Sequence, residues 1–140
     1  MAIHFGTMRI WLSTLAIPLL LISCAGVNTS DPRDAFKYWA GQTPPDNIRV
    51  LNGKYWQSGH WTREYILFLK LRPTEEWWNE FIARNSLKPA VAIWTKPSDS
   101  PDWFRPSATS QVYCLRDDFN NSRYFRDSAT GVCYIYEIQL

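Results

Sequence analysis

The sequence predicts one α+β domain: an antiparallel sheet of about five to seven strands, with a tryptophan-rich helix on one face and a short N-terminal helix. Three observations carry the prediction. Tyr65, Leu67, Leu69 and Leu71 alternate along a run from Trp61 to Arg72, and Val132, Tyr134, Tyr136, Ile138 and Leu140 alternate along another. Such period-two patterns place one set of side chains on one face of a sheet. Between those runs Trp77, Trp78, Phe81 and Ile82 form a single apolar stripe at helical spacing. A β-sandwich-like arrangement is the alternative.

In chain order, Asp31-Pro32 reads as an N-cap followed by proline at the first helical position, with Asp34 in the first turn. The helix runs to about Ala40, buries Phe36, Trp39 and Ala40, and stops at Gly41. Pro44-Pro45-Asp46 enforces an extended turn. Ile48–Leu51, Asn52-Gly53 and Lys54–Ser58 read as a hairpin, because Asn-Gly suits the positive φ angles of a type I′ turn. Gly59-His60 forms a second turn before the long strand. Ile66 and Phe68, opposite the leucines, make that strand a central one covered on both sides. Pro73-Thr74-Glu75-Glu76 opens the tryptophan-rich helix with acidic residues at its positive end; Asn85 and Pro89 close it. Ala90–Trp94, Gln111–Leu115, Tyr124–Asp127 and Val132–Leu140 complete the strands, the last two joined by a turn at Ser128–Gly131. Residues 95–109 form a loop rich in Pro, Ser and Asp, whose length marks it as functional or mobile.

Residues 1–23 lie outside the domain. Arg9 precedes an apolar run from Ile10 to Ile22 that, at about 1.5 Å per residue, covers roughly 20 Å, short of a bilayer's hydrocarbon core. This is the layout of a cleavable export signal, and Met8-Arg9 suits its start better than Met1. Its end, Leu21-Ile22-Ser23-Cys24, resembles the lipobox of bacterial lipoproteins. The resemblance covers residues 1–24 alone. It implies cleavage before Cys24, a diacylglycerol thioether on its sulfur and an acylated amine, which together suffice for stable anchoring. It also implies a cell-envelope address, with Ala25 after the cysteine pointing to the outer membrane and a domain facing the periplasm. Residues 24–30 would be the lipidated cysteine and a tether, and 31–140 the domain. Of three cysteines, a lipidated Cys24 leaves Cys114 and Cys133, and an oxidising compartment favours a disulfide between them over two buried thiols.

Composition narrows the chemistry. Aromatic residues make up 16% of the chain, too many for a disordered tail, and a mean hydropathy of −0.30 excludes a polytopic membrane protein. With 15 Lys+Arg against 13 Asp+Glu, nothing points to nucleic acid. His60 is the one histidine after the leader, and the chain has neither a G-x-S-x-G elbow nor a phosphate-binding glycine loop. No metal-ligand spacing accompanies the cysteines. The oxygen-rich stretch Asp117–Ser122 fails as an EF-hand, since Arg123 and Ala129 stand where glycine and glutamate are needed. It reads as a solvated turn. No catalytic residue, metal or cofactor is therefore assigned.

The aromatic excess is the remaining signal. Trp56, Trp61, Trp94 and Trp103 fall on strand ends and loops, where large rings with polar edges suit binding. Trp103-Phe104, between Pro101 and Pro106, reads as a stiffened loop that cannot bury both rings. Trp56, Trp61, Trp103 and Phe104 are thus the candidate binding residues. The expectation is a lipid-anchored envelope protein whose non-catalytic domain binds another envelope protein or a glycan, as an immunity-type, inhibitor or accessory lipoprotein would. The alternative is a small hydrolase of cell-wall or glycan polymers using Glu64, Asp117 or Asp118.

Overall fold

A computed structural model describes residues 25–115 and 121–140. The chain runs β1 (Val27–Thr29), α1 (Pro32–Ala40), β2 (Ile48–Gln57), β3 (Tyr65–Pro73), α2 (Glu75–Arg84), β4 (Lys88–Pro89), β5 (Gln111–Cys114), β6 (Arg123–Arg126) and β7 (Cys133–Gln139). All seven strands join one sheet in the order β1-β2-β3-β7-β6-β5-β4, and every pairing is antiparallel. The fold is α+β. At its centre β3 pairs with β7, from Tyr65 opposite Gln139 to Leu71 opposite Cys133.

The helices start where the sequence caps them. The Asp31 carboxylate accepts from the Asp34 N–H at 2.9 Å, and Gly41 closes α1 in the left-handed region at φ 72°. Thr74 caps α2 by accepting from the Trp77 N–H at 3.2 Å, and the Asn85 side chain donates back to the Phe81 carbonyl. Both helices lie on the same face of the sheet. Ala35 and Phe36 of α1 and Trp78 and Phe81 of α2 pack on Tyr55, Leu67, Leu69, Leu71, Tyr124 and Ile135. Ala40, expected in this core, is exposed, and Ala35 takes the close contact with the sheet. The opposite face carries a second core of Phe68, Phe125, Tyr134 and Tyr136, sealed by Trp94, Trp103 and Phe104 from the loop ahead of β5. As the alternation of β3 predicts, its two faces enter two different cores.

Several strand expectations are corrected. Asn52-Gly53 is not a turn: β2 is continuous, and a β-bulge between Val50 and Asn52 makes Leu51 the extra residue. The bulge shifts the alternation by one, so Val50 and Gly53 both face the helices. Gly53 is required there by close approach, since a Cβ on it would meet the Ala35 Cβ at 2.7 Å and the Pro32 Cα at 3.0 Å. β3 begins at Tyr65, four residues after Trp61. Ala90–Trp94 forms no strand; the pairing here is the short β4, Lys88 opposite Cys114 and Pro89 opposite Tyr113. The expected tether is partly structured, since Val27–Thr29 pair with Tyr55–Gln57 as the edge strand β1.

The expected disulfide is also corrected, as Cys114 and Cys133 are free thiols. Cys114 is on β5 and Cys133 on β7, with β6 between them, so two strand spacings of about 4.8 Å already exceed a disulfide's Cα separation. Their side chains also point to opposite faces. Cys133 belongs to the helix-side core, whereas Cys114 alternates with Tyr113 of that core and falls on the other side. The cysteine count therefore lends nothing to the expectation of an envelope address, which rests on the lipobox resemblance alone.

Candidate aromatic binding groove

The second face is where the aromatic residues converge. Phe104 is the hub: its ring centroid lies 5.1 Å from Phe68, 5.4 Å from Tyr134, 6.0 Å from Trp103 and 6.2 Å from Trp94. Trp94 in turn meets Phe125 edge-on at 5.1 Å. These mostly edge-to-face contacts favour aromatic packing beyond the area they bury. Phe104 has no exposed surface, and Trp103 is half-buried beside it. The expectation that this pair is a displayed binding loop is corrected for Phe104, which is a core residue. Hydrogen bonds from Phe104 N–H to the Pro101 carbonyl and from Ser100 to the Pro97 carbonyl fold the loop back on the sheet. The long segment is a cover for the second face.

Where the cover meets the sheet edge it leaves a groove of about 490 Å3, within the usual size of a ligand site. Trp94, Phe104, Val112 and Phe125 line it on the apolar side, and Lys96 and Arg105 contribute two exposed cations. Ser107 and Ser110, hydrogen-bonded to each other at 2.9 Å, add hydroxyls. The Trp94 Nε1–H is buried and has no acceptor among the described residues. Beside the groove Val91 and Ile93 are each 98% exposed. They alternate like a strand yet have no partner strand, so the segment holds two branched aliphatic side chains in solvent. The sequence marks Trp94 as a candidate but reads Val91 and Ile93 only as part of a strand.

The other candidates are dispersed. Trp56, on the second face of β2, lines a separate hollow of about 340 Å3 with Lys54, Ile66, Phe68 and Asp99. The Lys54 ammonium donates to the Asp99 carbonyl at 3.1 Å and lies 5.9 Å from the Phe68 ring centroid, tying the cover to β2. Trp61 stands alone in the β2–β3 turn, 100% exposed. Glu64 is in the same turn, accepting from the Thr62 hydroxyl at 3.4 Å. His60 is exposed there. Asp117 and Asp118 lie outside the described residues, as does Cys24. Among the described residues no three of His, Cys, Asp and Glu gather as a metal site would need.

One polar cluster escaped the sequence reading. Glu137, on the helix side of β7, accepts from Trp39 Nε1 at 2.8 Å, from the Tyr65 hydroxyl at 2.9 Å and from the Tyr124 hydroxyl at 2.7 Å. Burial, and then the neighbouring carboxylate, push both tyrosine hydroxyls well above their ordinary range. Three donors from α1, β3 and β6 thus converge on one carboxylate, which ties the first helix to the sheet. No period or motif announces it, because the donors are scattered along the chain. Comparison of the chain with known protein families, curated proteins and solved structures finds no match.

Proposed function

We propose that this is a lipid-anchored bacterial envelope protein whose domain binds another envelope component, without catalysis, through the groove beside Trp94. The observation that carries the binding half is the pairing of an apolar groove with exposed Val91 and Ile93 at its rim. Unpaired branched side chains next to an aromatic floor are what a partner's apolar group would cover. Lys96 and Arg105 suit a partner that places an acidic group beside that apolar one. The anchor half rests on Leu21-Ile22-Ser23-Cys24 and the charged, apolar leader before it. An outer-membrane address facing the periplasm follows from Ala25 after the cysteine.

Two measurements test the halves separately. Radiolabelled palmitate is expected to enter the wild type and not Cys24→Ala; absence of label from both would overturn the anchor. A photo-crosslinking amino acid at position 93 is expected to give a discrete adduct in intact cells, and the same amino acid at exposed position 129 none. Equal patterns from the two positions would overturn the groove.

A further inference from the structure

The anchor reading raises a question of posture, because a lipid on a long tether would leave the domain free to tumble. Here little tether remains. Gly26 is pressed against the end of β2: a Cβ on it would lie 2.8 Å from the Gln57 carbonyl oxygen and 3.3 Å from the Gly59 nitrogen. The next residues pair with β2, from Val27 opposite Gln57. Cys24 precedes Gly26 by two residues, which span at most about 7 Å. Anything attached to Cys24 therefore starts beside the β2–β3 turn.

That same end of the sheet exposes an indole and a leucine. Trp61 is 100% exposed at the turn, and Leu140, following the Tyr65–Gln139 pair, is 81% exposed. Trp56, Ile66 and Ile138 form a cross-strand row that leads up to them on the second face. Arg63, also exposed, stands two residues from Trp61. An indole is amphipathic and settles at the boundary of headgroup and acyl chain, and a neighbouring guanidinium suits anionic headgroups. At the far end, the β6–β7 turn at Ser128–Gly131 carries no such group; along seven residues of β7 it stands roughly 20 Å away.

We propose that the β2–β3 turn is the membrane-facing surface, with Trp61 and Leu140 seated in the bilayer interface and the β6–β7 turn pointing away. The inference rests on the anchor reading, which supplies the bilayer as occupant. A tether of two residues turns contact by Trp61 into an intramolecular event, so one indole and one leucine suffice to fix the orientation.

The test uses the full chain processed in bacteria and reconstituted in phosphatidylethanolamine–phosphatidylglycerol vesicles. Nitroxide labels are placed at His60→Cys, beside Trp61, or at Ala129→Cys, each with Cys114→Ser. Both labelled positions are exposed, so neither variant threatens folding. Accessibility to an aqueous nickel reagent is compared with accessibility to oxygen, and intact mass reports acylation. The expected result is an acylated protein in which label 60 is several-fold less accessible to nickel than label 129. Acylated protein with equal accessibility at both sites would overturn the posture while leaving the anchor standing. Unacylated protein would overturn the anchor. Repeating the comparison on acylated Trp61→Ala protein then tests the indole: a rise in nickel accessibility at label 60 supports its seating and unchanged shielding overturns it.

Discussion

Gly53 of β2 lies so close beneath Ala35 of α1 that a single added methyl group would meet the alanine's Cβ at 2.7 Å. The Pro32 Cα stands 3.0 Å from the same point, so backbone as well as side chain would have to move. Gly53→Ala is therefore expected to destabilise the domain by about 1–3 kcal/mol, the range for overpacking a tight core. Urea unfolding of the variant beside the wild type measures it. An unchanged midpoint would show that α1 has room to lift.

Glu137 is a second point of convergence, and its chemistry is specific to a carboxylate. Glu137→Gln replaces one acceptor oxygen with an amide that donates, turning it against a donor from Trp39, Tyr65 or Tyr124. One unmade hydrogen bond to a buried group costs about 1–3 kcal/mol. Glu137→Leu strands all three donors and is expected to cost more than the glutamine change. The order of the two variants in chemical denaturation is the readout; equal stability for glutamine and wild type would mean the network is not needed.

Two of the candidate aromatic residues separate by stability. Phe104→Ala is expected to cost about 3–5 kcal/mol, because it empties the hub of the second core. Trp61→Ala is expected to stay within about 0.5 kcal/mol of wild type. Thermal unfolding of both variants checks the pair, and a large loss from Trp61→Ala would contradict its free position.

Cysteine reactivity follows from burial. The Cys133 thiol is pushed up to about 12 by desolvation, which outweighs the opposing pull of Arg126. In native protein at pH 8 an alkylating reagent is expected to modify half-exposed Cys114 and spare Cys133, with both modified in denaturant. Mass spectrometry under non-reducing conditions is expected to find no link between them.

The same shifts set an alkaline limit. Cys133 ordinarily titrates at 9.0 and Tyr65 and Tyr124 at 10.0; all three are raised in the fold. The native state then holds protons that the unfolded chain has released, so stability falls as pH rises. Their contribution is fully present below pH 9. It declines through pH 9–12 for the cysteine, and the tyrosines extend the decline beyond 10. Urea midpoints taken at pH 7, 9 and 10.5 are expected to be level between the first two and lower at the third.

The parts of the fold legible in the sequence were those whose side chains face the core with a regular period. β3 and β7 announce themselves because two cores demand apolar residues from both their faces. α1 and α2 do so through Asp31, Gly41 and Thr74, whose side chains or missing Cβ serve local hydrogen bonds. Features set by distant neighbours stayed hidden. Asn52-Gly53 carries the local chemistry of a turn, and only α1 crossing above it shows why glycine is there. Val91 and Ile93 alternate as a strand would, but a strand needs a partner that no local pattern supplies. Phe104 reads as displayed because a Pro-flanked loop does not easily bury two adjacent rings, yet this loop serves as the wall of a core and buries Phe104 while leaving Trp103 half-buried. The groove it leaves beside Trp94 depends on how the wall meets the sheet edge, which no short window of sequence encodes.

The β3–β7 pairing also fixes when this domain can exist at all. Residues 65–71 lie against residues 133–139, so among the described strands the sheet's two halves are joined only through a pairing that spans more than sixty residues of chain. Before that pairing forms, β3 exposes a full edge of unpaired amides flanked by leucine and phenylalanine. Contacts of such long range close slowly. A chain whose β3 pairs with β7 stays open at its centre until both strands have been made, and the sheet closes only then.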